Sequence, residues 1–141
     1  MFSQPIVVKL KDVDRRLYRE MYRLNRSTRS DGISWEMRPF LVRERARHND
    51  STYISYILDS SNHIATWAIS DGYRIMVYAR IKYRRMGLSK KAVKKLSKKF
   101  DELGYAPHDV TSAKFFKSCI EDGFLSKYYA NPYAEELWSF L

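Results

Sequence analysis

The chain has 141 residues, of which 45% are hydrophobic, and it carries a formal net charge of +10. That apolar content suffices for one sizeable core and not for two, so we predict a single domain spanning residues 1–141. The single cysteine, Cys119, excludes an intramolecular disulfide, and no Cys and His residues cluster at metal-ligand spacing. We expect no bound metal, no secretion or membrane insertion, and a cytoplasmic location.

The amino-terminal segment predicts a strand and then a helix. Ile6 to Leu10 is a short apolar run, and Asp12 is the predicted N-cap of a helix that ends before Asp31-Gly32. The apolar stripe of this helix is Val13, Leu17, Met21 and Leu24. Its polar positions are Arg15, Arg16, Arg19, Arg23 and Arg26, with Tyr18 and Tyr22 interleaved. Arginine with tyrosine suits phosphate contact and base stacking, whereas tyrosines at this spacing also flank core faces, so both interpretations stay open.

The next part of the chain predicts a short helix and a run of strands. Pro39 to Arg47 is the predicted helix. Tyr53 to Leu58 and Ile64 to Ile69 are rich in β-branched and aromatic residues and predict two strands with a turn between them. Asp71-Gly72 is a typical hairpin turn and leads into a third strand that begins at Arg74. We therefore expect three consecutive antiparallel strands.

The segment from Arg74 to Leu103 predicts a strand followed directly by a helix. Apolar and polar residues alternate from Arg74 to Lys82, which indicates a half-buried strand. Apolar residues then recur at helical spacing over about four turns, and Gly104 is the predicted C-cap. The apolar positions of this helix are Leu88, Ala92, Val93, Leu96, Phe100 and Leu103.

Gly87 lies between this strand and this helix. A residue without a side chain lets a ligand approach the backbone closely, and the first N–H groups of the helix have no acceptor inside it. Such a helix start attracts anions, phosphate above all. The alternative is that Gly87 only makes a tight turn and that the neighbouring arginines are solvated.

The string Arg84-Arg85-Met86-Gly87-Leu88-Ser89 resembles the Q/R-x-x-G-x-G/A signature of the GNAT superfamily of N-acetyltransferases. Ser89 stands where that signature has Gly or Ala, and we expect its hydroxyl to cap the helix or meet a phosphate. The resemblance implies an α+β fold with a mixed, mostly antiparallel central sheet flanked by helices, and acetyl-CoA as cofactor. The implied cofactor-binding residues are Ala79, Arg80, Ile81, Arg84, Arg85, Met86, Gly87, Leu88, Ser89 and Lys90.

The resemblance also implies a proton donor for the departing thiolate. Residues 112–124 are similar to the family's N-x-x-A-x-x-[FL]-Y-x-x-x-G-F motif, with Gly123-Phe124 matching and Cys119 at the tyrosine position. The candidate donors are Cys119, Tyr128 and Tyr129, although Cys119 is also explained as a small buried residue. The general base stays unassigned among His63, His108, Glu36 and Glu44.

The carboxy-terminal region fits the same fold less closely. Ala106 to Val110 predicts a short strand, Ser112 to Glu121 a helix, and Leu137 to Leu141 an extended segment paired at the sheet. The run from Asn131 to Glu135 also suits a helix start, with Pro132 at the first helical position.

The charge distribution indicates an anionic partner. Ten basic and no acidic residues lie between Arg80 and Lys99. The lysines beyond the first turn of the helix are explained by nucleic acid, an acidic protein or anionic lipid as a partner, or they are simply solvated. We predict an acetyl-CoA-dependent N-acyltransferase that acts on an amine of a macromolecule, either a protein or a nucleic acid. Proteins that this fold resembles often pair as homodimers through their terminal strands, and for this chain the sequence leaves that open. The alternative is a catalytically silent module that binds nucleic acid or an acidic protein through its basic helices.

Overall fold

The computed structural model describes residues 1–27, 50–72, 75–105 and 110–126. Its regular elements are β1 (Ile6–Lys9), α1 (Arg15–Ser27), β2 (Tyr53–Leu58), β3 (Ile64–Ser70), β4 (Ile75–Ala79), α2 (Leu88–Ser97) and α3 (Val110–Glu121). The predictions for Pro39 to Arg47, Asn131 to Glu135 and Leu137 to Leu141 fall outside these ranges. Residues 106–109 of the strand predicted from Ala106 to Val110 also fall outside them. Val110, the last residue of that predicted strand, is instead the first residue of α3.

The four strands form one antiparallel sheet in the order β1-β2-β3-β4. Ile54 pairs with Ile69, and Trp67 pairs with Tyr78, so β-branched and aromatic residues face each other across neighbouring strands. Gly72, between β3 and β4, has a φ of 100°, in the left-handed region that glycine adopts without strain. The α+β class and the three consecutive antiparallel strands are confirmed.

Helices cover both faces of this sheet. On one face α1 contributes Leu17 and Met21 to a core that also contains Ile54, Trp67 and Tyr78. On the other face α2 and α3 build a second core, which includes Ala68, Ile75, Leu88, Val93, Leu96, Phe116 and Cys119. The expectation that β4 is half-buried is therefore wrong. The predicted alternation places Met76 and Tyr78 on the same face as Arg74 and Lys82, which would be solvent-exposed. They are only 5% and 4% exposed, because α1 covers that face.

The start of α1 differs from the prediction by two residues. Asp14, not Asp12, is the cap: its Oδ1 accepts the N–H of Arg16 at 2.9 Å and of Leu17 at 3.4 Å. Asp12 belongs to a 3-10 turn, Leu10–Asp12, that follows β1. Leu10 leaves the strand because its side chain is buried in the core while its N–H bonds to the Thr52 carbonyl.

The elements around Gly87 are shorter than predicted. β4 ends at Ala79 and a 3-10 turn, Ile81–Tyr83, replaces the rest of the predicted strand. α2 ends at Ser97, so its length is about 15 Å. Leu103 still packs in the second core, from non-helical backbone, and Gly104 is not a helix cap. Its carbonyl accepts the Ile75 N–H at 2.8 Å, at the edge of β4 that faces away from β3. No helix within the described ranges combines the length and apolar content needed to cross a membrane.

Glu20 of α1 joins three parts of the fold. Its Oε1 accepts the Ile64 N–H at 2.7 Å and Arg80 Nη2 at 2.9 Å, and its Oε2 lies 3.2 Å from His63 Nδ1. Arg80 also donates from Nε to the Ile64 carbonyl at 2.6 Å. Burial raises the pKa of Glu20, but the hydrogen bonds from Ile64, His63 and Arg80 outweigh it, so the pKa lies below the ordinary value. The ionised carboxylate thus connects α1, the start of β3 and the end of β4.

Replacing this carboxylate tests its contribution to stability. We expect Glu20→Gln to lower the free energy of unfolding by about 2–3 kcal/mol at neutral pH, because Arg80 loses its charged acceptor. Since folding lowers the Glu20 pKa, this stabilisation is present above the pKa of an unfolded glutamate and is lost as pH falls through the folded value. Chemical denaturation at several pH values measures both effects.

The variant should therefore show a smaller loss of stability between neutral and acidic pH than the wild-type protein. Glu102→Gln is the matched control, since Glu102 is exposed and the substitution removes the same charge. Equal stability of Glu20→Gln and Glu102→Gln at neutral pH would contradict a structural role for Glu20.

Candidate functional site

The loop between β4 and α2 contains two residues in the left-handed region. Arg84 is extended, with φ −67° and ψ 153°; Arg85 has φ 64°, and Gly87 has φ 78° and ψ 5°. A left-handed conformation costs a non-glycine residue about 1–2 kcal/mol, so Arg85 is held in it by its surroundings. The backbone reverses here and α2 begins at Leu88. The glycine predicted at the junction is therefore the residue that precedes the helix.

The start of α2 presents unpaired backbone donors. The first intrahelical hydrogen bond runs from the Lys91 N–H to the Gly87 carbonyl at 3.3 Å, so the N–H groups of Leu88, Ser89 and Lys90 have no acceptor within the helix. The first turn contains no acidic residue. A Cβ built on Gly87 would meet no heavy atom within 4 Å, so there is open space beside the loop. Backbone donors, the helix dipole and free volume together suit an anion.

Thr66 of β3 fixes this helix start against the sheet. Its hydroxyl donates to the Tyr78 carbonyl at 2.6 Å and lies 2.9 Å from Ser89 Oγ. The Ser89 side chain therefore points toward the sheet, and the expectation that it caps the helix is wrong. The contact between the Thr66 and Ser89 hydroxyls therefore joins the first turn of α2 to β3. Nothing in the local sequence around Thr66 signalled this contact.

Ala79 and Arg80, two predicted site residues at the end of β4, direct their backbone groups to opposite edges of the strand. The Arg80 N–H bonds to the Ala65 carbonyl of β3 at 3.0 Å. Because backbone groups alternate along a strand, the Ala79 N–H and carbonyl point to the opposite edge, and Arg84 Nε reaches the Ala79 carbonyl there at 3.1 Å. The Arg80 side chain is directed away from this edge, toward Glu20. The Ala79 N–H thus points to the side of the loop between β4 and α2, whereas Arg80 supports the fold.

The remaining loop residues differ in how far they are engaged. Arg85 is exposed, and so are Ile81 and Met86, at 60% and 52%. Lys90 turns instead toward α3: its Nζ forms an ion pair with Asp122 and donates to Ser118 Oγ at 2.7 Å. The hydrogen bond to Asp122 raises the pKa of Lys90. Lys90 therefore links α2 to α3, while Arg85 is exposed on the loop, as Lys82 and Arg84 are.

The catalytic candidates are only partly described. Cys119 is fully buried in the second core, and burial raises the pKa of its thiol to about 12. Such a thiol is a weak proton donor, and its position agrees with the interpretation of Cys119 as a core residue. Tyr128 and Tyr129 lie outside the described residues, as do Glu36, Glu44 and His108. Among the candidate bases, His63 is described, and its Nδ1 faces Glu20. Within the described segments no three His, Cys, Asp or Glu residues cluster in a metal-binding arrangement.

Comparison with solved structures shows a related fold. The crystal structure of an acetyltransferase of the GNAT family from Staphylococcus aureus Mu50 superposes with a TM-score of 0.59 and 16% sequence identity, over 81% of this chain and 80% of that chain. No family model matches the sequence. No curated protein matches it either. The GNAT-like fold predicted from Arg84 to Ser89 is therefore confirmed at the level of the fold.

Burial of Cys119 predicts low reactivity in the native protein. We expect iodoacetamide at mildly alkaline pH to leave Cys119 unmodified in folded protein and to alkylate it in denaturant, because the thiol is both inaccessible and protonated. Mass spectrometry of the intact protein measures the modification. Rapid stoichiometric alkylation of native protein would contradict the buried position.

Proposed function

We propose that the protein is an acyl-CoA-dependent N-acyltransferase. The observation that carries this proposal is the start of α2 in a GNAT-like fold. There Gly87 in the left-handed region, open space and N–H groups without an acceptor inside the helix follow β4 and its 3-10 turn. An acyl-CoA has a pyrophosphate that such a helix start binds and a thioester that lies toward the neighbouring strand. When bound, it would supply the activated acyl group.

The residues present fit this cofactor. The N–H groups of Leu88, Ser89 and Lys90 would hold phosphate oxygens, and Arg85 would add a charge from the exposed side of the loop. The Ala79 N–H, directed to the edge of β4 that faces away from β3, would hydrogen-bond a carbonyl oxygen and stabilise the negative charge that develops on it. Arg84, bonded to the Ala79 carbonyl, holds the loop close to the strand.

Two further roles are the donor of a proton to the departing thiolate and the acceptor of the acyl group. Since the Cys119 thiol is buried, we assign the donor role to Tyr128 or Tyr129. The acceptor is an amine on a macromolecule, because the basic surface extends far beyond what one coenzyme needs. If neither tyrosine donates, the same site binds the coenzyme without turnover, which is the alternative of a catalytically silent module.

Coenzyme binding should stabilise the folded protein. At a concentration ~100 times the dissociation constant, acetyl-CoA should add roughly 2.7 kcal/mol and raise the melting temperature by about 6–10 °C. Calorimetric titration should give one site per chain. The absence of both heat and thermal shift with acetyl-CoA, propionyl-CoA and free coenzyme A would refute the assignment.

Two substitutions of equal size at Gly87 separate charge from backbone strain. Asn and Asp both tolerate the left-handed region better than other residues, and the open space accepts either side chain. Gly87→Asp places a carboxylate where the phosphates should lie, and we expect it to weaken coenzyme binding at least tenfold more than Gly87→Asn does. Circular dichroism of both variants should match the wild-type spectrum. Equal coenzyme affinity in the two variants would mean that Gly87 is only a turn residue.

A further inference from the structure

The ten basic residues between Arg80 and Lys99 are not equivalent in the folded protein. Arg80 is bound to Glu20, Lys90 to Asp122, and Arg84 to the Ala79 carbonyl. Lys94 and Lys99 lie over aromatic rings, with Nζ 5.5 Å from the Phe124 centroid and 5.8 Å from the Tyr53 centroid, respectively. Lys82 Nζ likewise lies 4.9 Å from the Tyr83 ring centroid, so six of the ten basic residues already have a role within the fold.

Lys91 and Lys95 of α2, and Lys98, which directly follows the helix, have no such role among the described residues. Lys91, Lys95 and Lys98 are exposed, and none of them forms an ion pair with another residue in the described ranges. At a spacing of four and three residues they lie on one side of the helix, next to the face that Ala92 and Leu96 bury. With a rise of 1.5 Å per residue they form a line about 10 Å long, which we call the lysine row. Because the neighbouring face of α2 is packed in the core, the position of the row is fixed.

The lysine row opposes the stability of its own helix. Lys91 and Lys95 are one turn apart, and so are Lys94 and Lys98; each such like-charged pair costs about 0.2–0.5 kcal/mol. Lys91 also lies in the first turn, where the helix dipole favours negative charge and no acidic residue is present. A merely solvated surface would mix both signs of charge. A bound polyanion would remove the repulsion.

We propose that the lysine row binds the phosphate backbone of a nucleic acid. Large exposed apolar side chains in the described residues are found at Met1, Ile6, Tyr22, Ile81 and Met86, and none lies between Lys91 and Lys99. Interfaces with proteins use aromatic and apolar anchors and are depleted in lysine, whereas contact with phosphates needs only positive charge. Lysine binds phosphate as a point charge, so binding is independent of base sequence. This inference goes beyond acyl transfer and does not depend on it.

The arginines of α1 do not extend this surface. α1 packs on one face of the sheet and α2 on the other, so the two basic helices face away from each other. Arg15, Arg19 and Arg23 are nevertheless exposed and also lie on one side of their helix at four-residue spacing. They provide a matched control, because replacing them removes three charges at a distance from the lysine row.

The test compares three triple variants by fluorescence anisotropy with a labelled DNA duplex and a labelled single-stranded RNA. We expect Lys91→Gln, Lys95→Gln, Lys98→Gln to weaken binding roughly 10²-fold at about 50 mM salt. The slope of log affinity against log salt should fall by about 2–3, since three phosphate contacts are lost. Replacing the same lysines with Arg should retain binding. Replacing Arg15, Arg19 and Arg23 with Gln should reduce affinity by less than about threefold.

Four results would overturn the proposal: no binding of wild-type protein to either probe, equal weakening by the α1 variant, an unchanged salt slope, or equally lysine-dependent binding of polyglutamate. The last result would assign the row to an acidic protein. Acetyl-CoA stabilisation, measured on the same samples, separates the two proposals. Loss of that stabilisation in the lysine variant would place the row in the coenzyme site instead. If the protein binds nucleic acid but shows no stabilisation by acetyl-CoA, the acyltransferase proposal is refuted and the nucleic-acid proposal stands.

Discussion

The ion pair between Glu20 and Arg80 positions the end of β4, where the loop to α2 begins. Arg80 is the residue after β4, and its side chain is held from one face of the sheet by a carboxylate of α1. Its Nε and N–H also bond to the Ile64 and Ala65 carbonyls, respectively. With three bonds from one residue to α1 and the start of β3, the end of β4 has little freedom. The loop that follows therefore starts from a defined point and direction.

The helix start is held from the opposite face of the sheet. Thr66 links the Tyr78 carbonyl to the Ser89 hydroxyl, so α2 begins within hydrogen-bond reach of β3 and β4. The loop between the two fixed points contains Arg85 in a left-handed conformation, which the constraints at both ends impose. Backbone donors at such a site are organised before any ligand arrives. Preorganisation of this kind lowers the entropic cost of binding.

The charges of α2 show how stability and binding compete on one short helix. Four buried apolar residues, Leu88, Ala92, Val93 and Leu96, hold the helix on the sheet. That burial allows the exposed side to carry several lysines, even though they repel each other and the positive end of the helix dipole. Neighbouring rings and Asp122 take up some of the charge, and the lysine row is what remains.

Much of the fold was determined locally. The alternation and β-branched content of Tyr53 to Leu58 and Ile64 to Ile69, the Asp71-Gly72 turn and the helical spacing after Gly87 predicted the antiparallel strands and α2, because each pattern depends on neighbours in sequence. The string from Arg84 to Ser89 predicted the loop for the same reason. By contrast, the burial of Met76 and Tyr78 in β4 depended on which face of the sheet α1 covers. The local pattern also did not give Asp14 as the cap or Ser97 as the end of α2.

The roles of individual charges were decided only by tertiary structure. The sequence places Arg80 and Lys90 among the predicted cofactor-binding residues. In the folded chain, however, Arg80 pairs with Glu20, 60 residues away, and Lys90 pairs with Asp122, 32 residues away. The burial of Cys119, and hence the raised pKa of its thiol, likewise follows from the packing of α3 in the second core. Periodicity fixes which side of an element a residue occupies. It does not determine what another element places opposite that residue, and that determines whether a charge is paired, buried or exposed for a ligand.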